Sequence, residues 1–172
     1  MALPCDLTSG RGKACKNALG GLGKLYLFNF LEDPFTILNG VATGINPLLL
    51  EVFEFELEGD GNNVAESLVS DRNSGTSVNT QTMTIVLKKI DAVTSAQMNL
   101  LAYSFPMAVV KDRNGIYHAI GIDDGIDFTV AQSTGGAKTE LNGYTLTGVS
   151  TTGSLSPKLD TATIADFLLL VA

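Results

Sequence analysis

From Leu48 to Glu58 apolar and acidic residues come to alternate one by one, Phe53, Phe55 and Leu57 against Glu54, Glu56 and Glu58. A period of two is satisfied by a strand with one packed face and one wet face, and by no helix. Thr82 to Lys89 repeats the pattern with Met83, Ile85 and Leu87 inward. Eighteen glycines, many Thr, Ser and Asn, and short β-branched runs add turns at close intervals. The chain is therefore expected to be mainly β, a β-sandwich or barrel with one flanking α-helix.

At 172 residues with 45 % hydrophobic content, the chain has the size of one domain with a proper core. Lys24 to Phe30 reads as a strand with Leu25 and Leu27 on one face and Tyr26, Phe28 and Phe30 on the other, so both faces are expected to be buried. Pro34, Asn39-Gly40, Gly44 and Pro47 break the chain into turns. Polar residues then dominate from Gly59 to about Gln81, which predicts a long hairpin or an extended loop projecting from a sheet. Segments of this kind are functional or disordered, and an interaction loop is both until it meets its partner.

Asp91 to Tyr103 predicts a helix, capped by Asp91, with Val93, Ala96, Leu100 and Tyr103 at helical spacing and packed across the sheet. Pro106 ends it. Asp112-Arg113-Asn114-Gly115 is a turn that joins Met107–Lys111 to Ile116–Ile120 as a hairpin. Ile126–Ala131, Tyr144–Val149 and the apolar end Phe167–Val171 read as further strands. The organisation expected is an N-terminal arm over residues 1–24 and a single β-rich domain over 25–172, with an extended loop at about 59–81.

The formal charge is −7, which argues against general affinity for nucleic-acid phosphates. The distribution is uneven. Arg11, Lys13, Lys16 and Lys24 face Asp6 alone before residue 25, so the body carries about −10 and the arm is basic. Such an arm suits docking on a neighbouring copy. No apolar run has the roughly 18 residues needed to span a bilayer, and the start lacks the apolar core of a signal peptide, so assembly in a cytosol without membrane insertion is expected. Cys5 and Cys15 enclose a loop short enough for a disulfide, while a reducing cytosol favours free thiols. Without a His pair they do not make a zinc site.

Chemistry is sparse. His118, the single histidine, sits in a predicted hairpin strand, and no G-x-S-x-G elbow accompanies it. Gly20-Gly21-Leu22-Gly23-Lys24 fails as a phosphate loop, because Leu25 follows the lysine and Ala18 stands where the first glycine belongs. The glycines read instead as a bend that turns the arm away from the first strand. Asp123-Asp124-Gly125-Ile126-Asp127 and Asp112-Arg113-Asn114-Gly115 offer oxygen ligands, yet neither has the spacing of a calcium loop, and turn chemistry accounts for both. No catalytic residue, cofactor or metal is expected. An acid-base hydrolase using Asp123 and Asp127 is the last choice.

The pattern C-D-L-T-S-G-R-G-K-A-C-K-N-A-L-G-G from Cys5 to Gly21 resembles the opening of virion structural proteins from tailed phages of Bacteroidetes-type hosts. Val110 to Gly125 and Leu141 to Gly148 resemble the second half of that family, and the order of strands, helix and hairpins is similar to the tail-tube fold of long-tailed phages. The resemblance implies a subunit of stacked, hexameric rings through which DNA passes without specific binding, with other tail or neck proteins as further partners and the virion tail as its location. It implies an inter-ring loop carrying Asp60, Asn62, Asn63, Asp71, Arg72, Asn73 and Val78, a lumen wall of Glu54, Glu56 and Glu58, and an inter-subunit arm of Arg11, Lys13, Lys16 and Lys24. Deleting Asp60 to Val78 is then expected to block stacking and leave a folded subunit. Two alternatives stay open: a neck, ring or tail-hub component of a short-tailed phage, and a monomeric β-sandwich binding module, which the absence of tryptophan disfavours.

Overall fold

A computed structural model describes residues 5–172. The chain is mainly β, with two sheets and two helices. Strands β1 (Leu22–Phe28), β2 (Phe35–Leu38), β3 (Val41–Ile45), β4 (Phe53–Glu56), β7 (Met107–Asp112), β8 (Tyr117–Ile120) and β11 (Lys158–Leu159) form a seven-stranded sheet in the order β2-β3-β11-β8-β7-β1-β4. Strands β5 (Asn63–Asp71), β6 (Thr76–Lys88), β9 (Asp127–Ser133) and β10 (Gly143–Thr152) form a four-stranded antiparallel sheet in the order β5-β6-β10-β9. Helix α1 (Ala92–Tyr103) follows β6, and α2 (Thr161–Leu168) follows β11.

The double-faced strand near the N-terminus is β1, and both of its faces are buried as expected, but it ends at Phe28, so Phe30, expected on its second face, lies beyond it and is exposed. Leu25 and Leu27 join Met83, Ile85, Val110, Ile120 and Leu146 in a core between the sheets. Tyr26 and Phe28 turn the other way, into a second core with Val109, Tyr117, Leu49, Val52 and Phe167. The seven-stranded sheet is thus the middle of three layers, because its strands are apolar on both sides and each side must be covered. Phe167, fully buried, supplies the lid of the outer core through ring contacts with Tyr26, Phe28 and Phe35 at centroid distances of 5.5, 6.3 and 6.1 Å.

The predicted 107–120 hairpin forms as β7 and β8, and the strands expected near 126 and 144 form as β9 and β10. Three expectations are corrected. The apolar end is not a strand: Asp160 accepts the Thr163 amide at 2.7 Å and starts α2, and only Val171 keeps a strand-like bridge, to Val52. A good cap with about two turns of helix-compatible sequence outweighs the β propensity of the leucine run. The segment at 59–81 is mostly strand, since β5 and β6 pair from Asn63↔Thr84 to Asp71↔Thr76, so it is the long hairpin and not an open loop. Helix α1 has the expected span and Asp91 cap, but it buries Met98 and Leu101, while Val93, Leu100 and Tyr103 of the predicted packing stripe stay in solvent. The helix fills the gap between sheet margins, where Ser95 Oγ bonds Gln132 of β9, and this seating selects the face.

Removing the Phe167 ring tests the three-layer arrangement. Phe167→Ala is expected to cost about 3–5 kcal/mol, measured by urea unfolding. A loss below about 1 kcal/mol would show that α2 does not seal the outer core.

Candidate assembly surfaces

Backbone hydrogen bonding leaves each sheet two outer strands, and the two sheets treat them differently. In the seven-stranded sheet the outer strands are four residues long: β2 is bulged between Thr36 and Ile37, and β4 carries Glu54 and Glu56. Short, bulged or charged edges are the usual protection against pairing with another chain. In the four-stranded sheet the outer strands β5 and β9 run nine and seven residues in unbroken register, with no proline, lysine or glycine in either. Among the described residues, no backbone group of β5 or β9 bonds any element beyond its one sheet neighbour. Alternating antiparallel pairing makes these two edges run in opposite directions.

The outer face of this sheet is paved with small uncharged side chains. Thr80, Thr82, Thr129, Thr147 and Thr151 are exposed, with Ala65, Ser67, Ala131 and Val149 between them. Asp127 and Lys88 are the charges at its margins. Beyond the last rung shared with β10, Asn79↔Thr152, the hairpin continues as Val69↔Val78, Ser70↔Ser77 and Asp71↔Thr76. The tip therefore projects about 10 Å past the sheet. Asp71 closes it, its carboxylate accepting the Asn73 amide at 2.8 Å and its carbonyl the Gly75 amide at 2.9 Å. Leu68, Val69 and Val78 are exposed.

The predicted loop residues fall into separate roles. Asp71, Arg72, Asn73 and Val78 lie at the projecting tip, whereas Asn63 is in the body at the start of β5. Asn62 is buried. Its side chain accepts the Val86 amide at 2.7 Å and donates to the Glu58 carbonyl at 3.3 Å, and its carbonyl accepts the Leu22 amide, tying β1 to β6. Asp60 pairs with Arg113 at 3.2 Å. Deletion of Asp60 to Val78 would remove the interior bonds of Asn62 and Glu66 and is therefore expected to unfold the subunit; trimming residues 69–78 alone spares both.

The acidic row is likewise not a free wall. Lys24 reaches Glu54 at 3.0 Å and Glu56 at 3.6 Å, and Lys88 reaches Glu58 at 3.7 Å, so each carboxylate has a cation beside it. The Lys24 bond holds the Glu54 carboxyl below its ordinary range. Lys24 consequently belongs to β1 and not to the arm, whose end moves back to Gly21. Gly21 sits at φ +94, a bend that disfavours any side chain and would press a Cβ to 3.1 Å from the Arg113 guanidinium. Leu19 is held by two bonds to the Asn114 side chain, at 2.9 and 2.8 Å, while Arg11, Lys13 and Lys16 are exposed. Cys5 and Cys15 are exposed free thiols, not a disulfide.

Asp112, His118 and Asp123 make local structural contacts. Asp112 accepts the amides of Asn114 and Ile116 and lies 3.1 Å from His118 Nε2. Asp123 accepts the Gly153 amide. Among the described residues no three His, Cys, Asp or Glu side chains converge as a metal site, and no helix is long and apolar enough to cross a membrane. Sequence reasoning missed Glu66, which points inward from β5 and joins both sheets. Its Oε1 accepts Asn79 Nδ2, Gln81 Nε2 and the Ser156 amide at 2.9, 2.9 and 2.8 Å, and its Oε2 accepts Ser156 Oγ at 2.7 Å. Gln81 then accepts the Gly121 amide of the facing layer at 2.9 Å. Polar Asn79 and Gln81 continuing the inward phase of Met83 and Ile85 were the available signal.

No protein-family model, curated protein or solved structure matches this chain.

Burial pushes the Glu66 carboxyl up, but bonds from Gln81, Ser156 and Asn79 outweigh it and hold the group below its ordinary value of 4.5. A carboxyl depressed on folding contributes stability that is whole above its unfolded pKa and is lost as pH falls through the folded one. Stability is therefore expected to decline as pH drops below about 4.5, and the decline is expected to be shallower in Glu66→Gln. Denaturant midpoints taken between pH 7 and pH 3 check this, and parallel curves for the two proteins would refute the assignment.

Proposed function

We propose that this chain is a structural subunit of a tailed-phage virion, a tail-tube protein that works by assembling with its own copies into stacked rings and performs no covalent chemistry. The observation that carries the reading is the pair of long, oppositely directed edges on the four-stranded sheet, whose backbone groups bond no further element among the described residues. When β9 of one copy adds to β5 of the next, the pairing is antiparallel, as it is throughout the sheet. The contact uses different surfaces on the two partners, so it propagates and closes into a ring instead of stopping at a dimer.

Six copies would join roughly 24 strands, well past the 16–18 at which a closed barrel already encloses an aqueous channel. The sheet's inner face is occupied by the core, so the face left for the lumen is the threonine-paved one. This reading replaces Glu54, Glu56 and Glu58 as lumen residues, since they lie at the far edge of the other sheet. A wall of hydroxyl and methyl groups presents no row of cations to phosphate, so it would let DNA pass without being held. The exposed basic arm remains available for a neighbouring acidic body.

Electron microscopy of the concentrated protein, with hydrogen exchange on the same sample, tests the proposal. Stacked hollow rings are expected, with amides of 63–71 and 127–133 slowing at least tenfold on assembly. Single closed rings would move the assignment to a neck or collar component. A monomer at all concentrations, with both edges exchanging freely, would overturn it in favour of a binding module.

A further inference from the structure

Helix α1 presents solvent with a face that is unusual for a surface helix. None of its twelve residues is charged, and Val93, Leu100 and Tyr103 are 74, 60 and 81 % exposed. Surface helices ordinarily set charged and polar residues on the outer side. Phe53 and Phe105, 41 and 59 % exposed, extend the apolar surface on either side of the helix. Together these side chains offer on the order of 500 Å², a large part of the ~800 Å² per partner of a standard interface. We propose that a second copy of this chain covers this face with the tip of its β5–β6 hairpin.

The inference rests on the ring contact proposed above, and strand polarity specifies the place. Helix α1 lies along β9: Ser95, near its start, bonds Gln132 at the end of β9, and beyond the helix the Pro106 carbonyl accepts the amide of Ile126, just before β9 begins. A neighbour's β5 added antiparallel to β9 begins beside Ser133 and ends beside Asp127. Its tip then emerges at the C-terminal end of α1, where Leu100, Tyr103 and Phe105 are found. The tip has matching chemistry, with Leu68, Val69 and Val78 being 47, 64 and 45 % exposed and Val69 opposite Val78. Its adjoining charges, Asp71 and Arg72, are of opposite sign, so the tip brings no net charge to an uncharged surface. For copies that each carry −7, this pairing avoids the repulsion that the rest of the surface meets.

Because all these side chains are exposed, charged replacements are expected to leave the subunit folded, with thermal midpoints near that of the parent. Tyr103→Lys and Val69→Glu are each expected to weaken assembly at least tenfold by sedimentation, and the double variant in one chain is expected to recover most of it. A benzophenone side chain placed at position 103 is expected to cross-link to residues 63–88 of an isotopically distinct copy. Folded Tyr103→Lys that assembles like the parent, with β5 and β9 still protected, would overturn the docking and leave the ring reading standing. Cross-links from position 103 to α1 of the other copy would also overturn it. A parent protein that never assembles would remove both.

Discussion

The arrangement depends on one constraint, the burial of both faces of β1 and β7. Leu25 and Val110 on one side, and Tyr26 and Val109 on the other, leave no surface of the central strands for water. A sheet of this kind needs a cover on each face. The four-stranded sheet covers one and α2 with the 46–52 segment covers the other. Once the central sheet is enclosed, the four-stranded sheet becomes an outer layer by default, with its polar face and its two long edges outward.

That enclosure separates two kinds of polar residue. Three of those within the fold are tied into it: Glu66 links β5 to β6 and to Ser156, Asn62 links β1 to β6, and Asp112 orders the β7–β8 turn. Each of these three groups is satisfied by neighbours. The surfaces without partners are of a different nature, consisting of backbone edges, a hairpin tip and an uncharged helix face. Groups of this kind gain by meeting another polypeptide, and the proposed assembly rests on them.

Legibility in the sequence followed the locality of the signal. The first strand, read as 24–30 and found at 22–28, the Asp91 cap and the turn at 112–115 are set by residues within a few positions of one another, and they were readable as such. The orientation of α1 was not readable, because Val93, Leu100 and Tyr103 and the buried pair Met98 and Leu101 are all apolar, and only the space between β4 and β9 decides which set goes inside. The same holds for the acidic row. Glu54 and Glu56 were correctly seen as one face of a strand, which ends before Glu58, but the cations beside all three come from β1 and from the end of β6, at sequence separations that periodicity does not reach.

The sequence by itself determined the β class, the double-sided burial of the first strand and the positions of most turns, since alternation, caps and turn residues act through the chain's own backbone. Tertiary structure alone decided between a hairpin and an open loop for the polar segment after Gly59, that Glu66 is an interior anchor, and which sheet has the longer edges. Those outcomes depend on which strands become neighbours, and neighbour choice is fixed by the packing of the whole core and not by any local stretch.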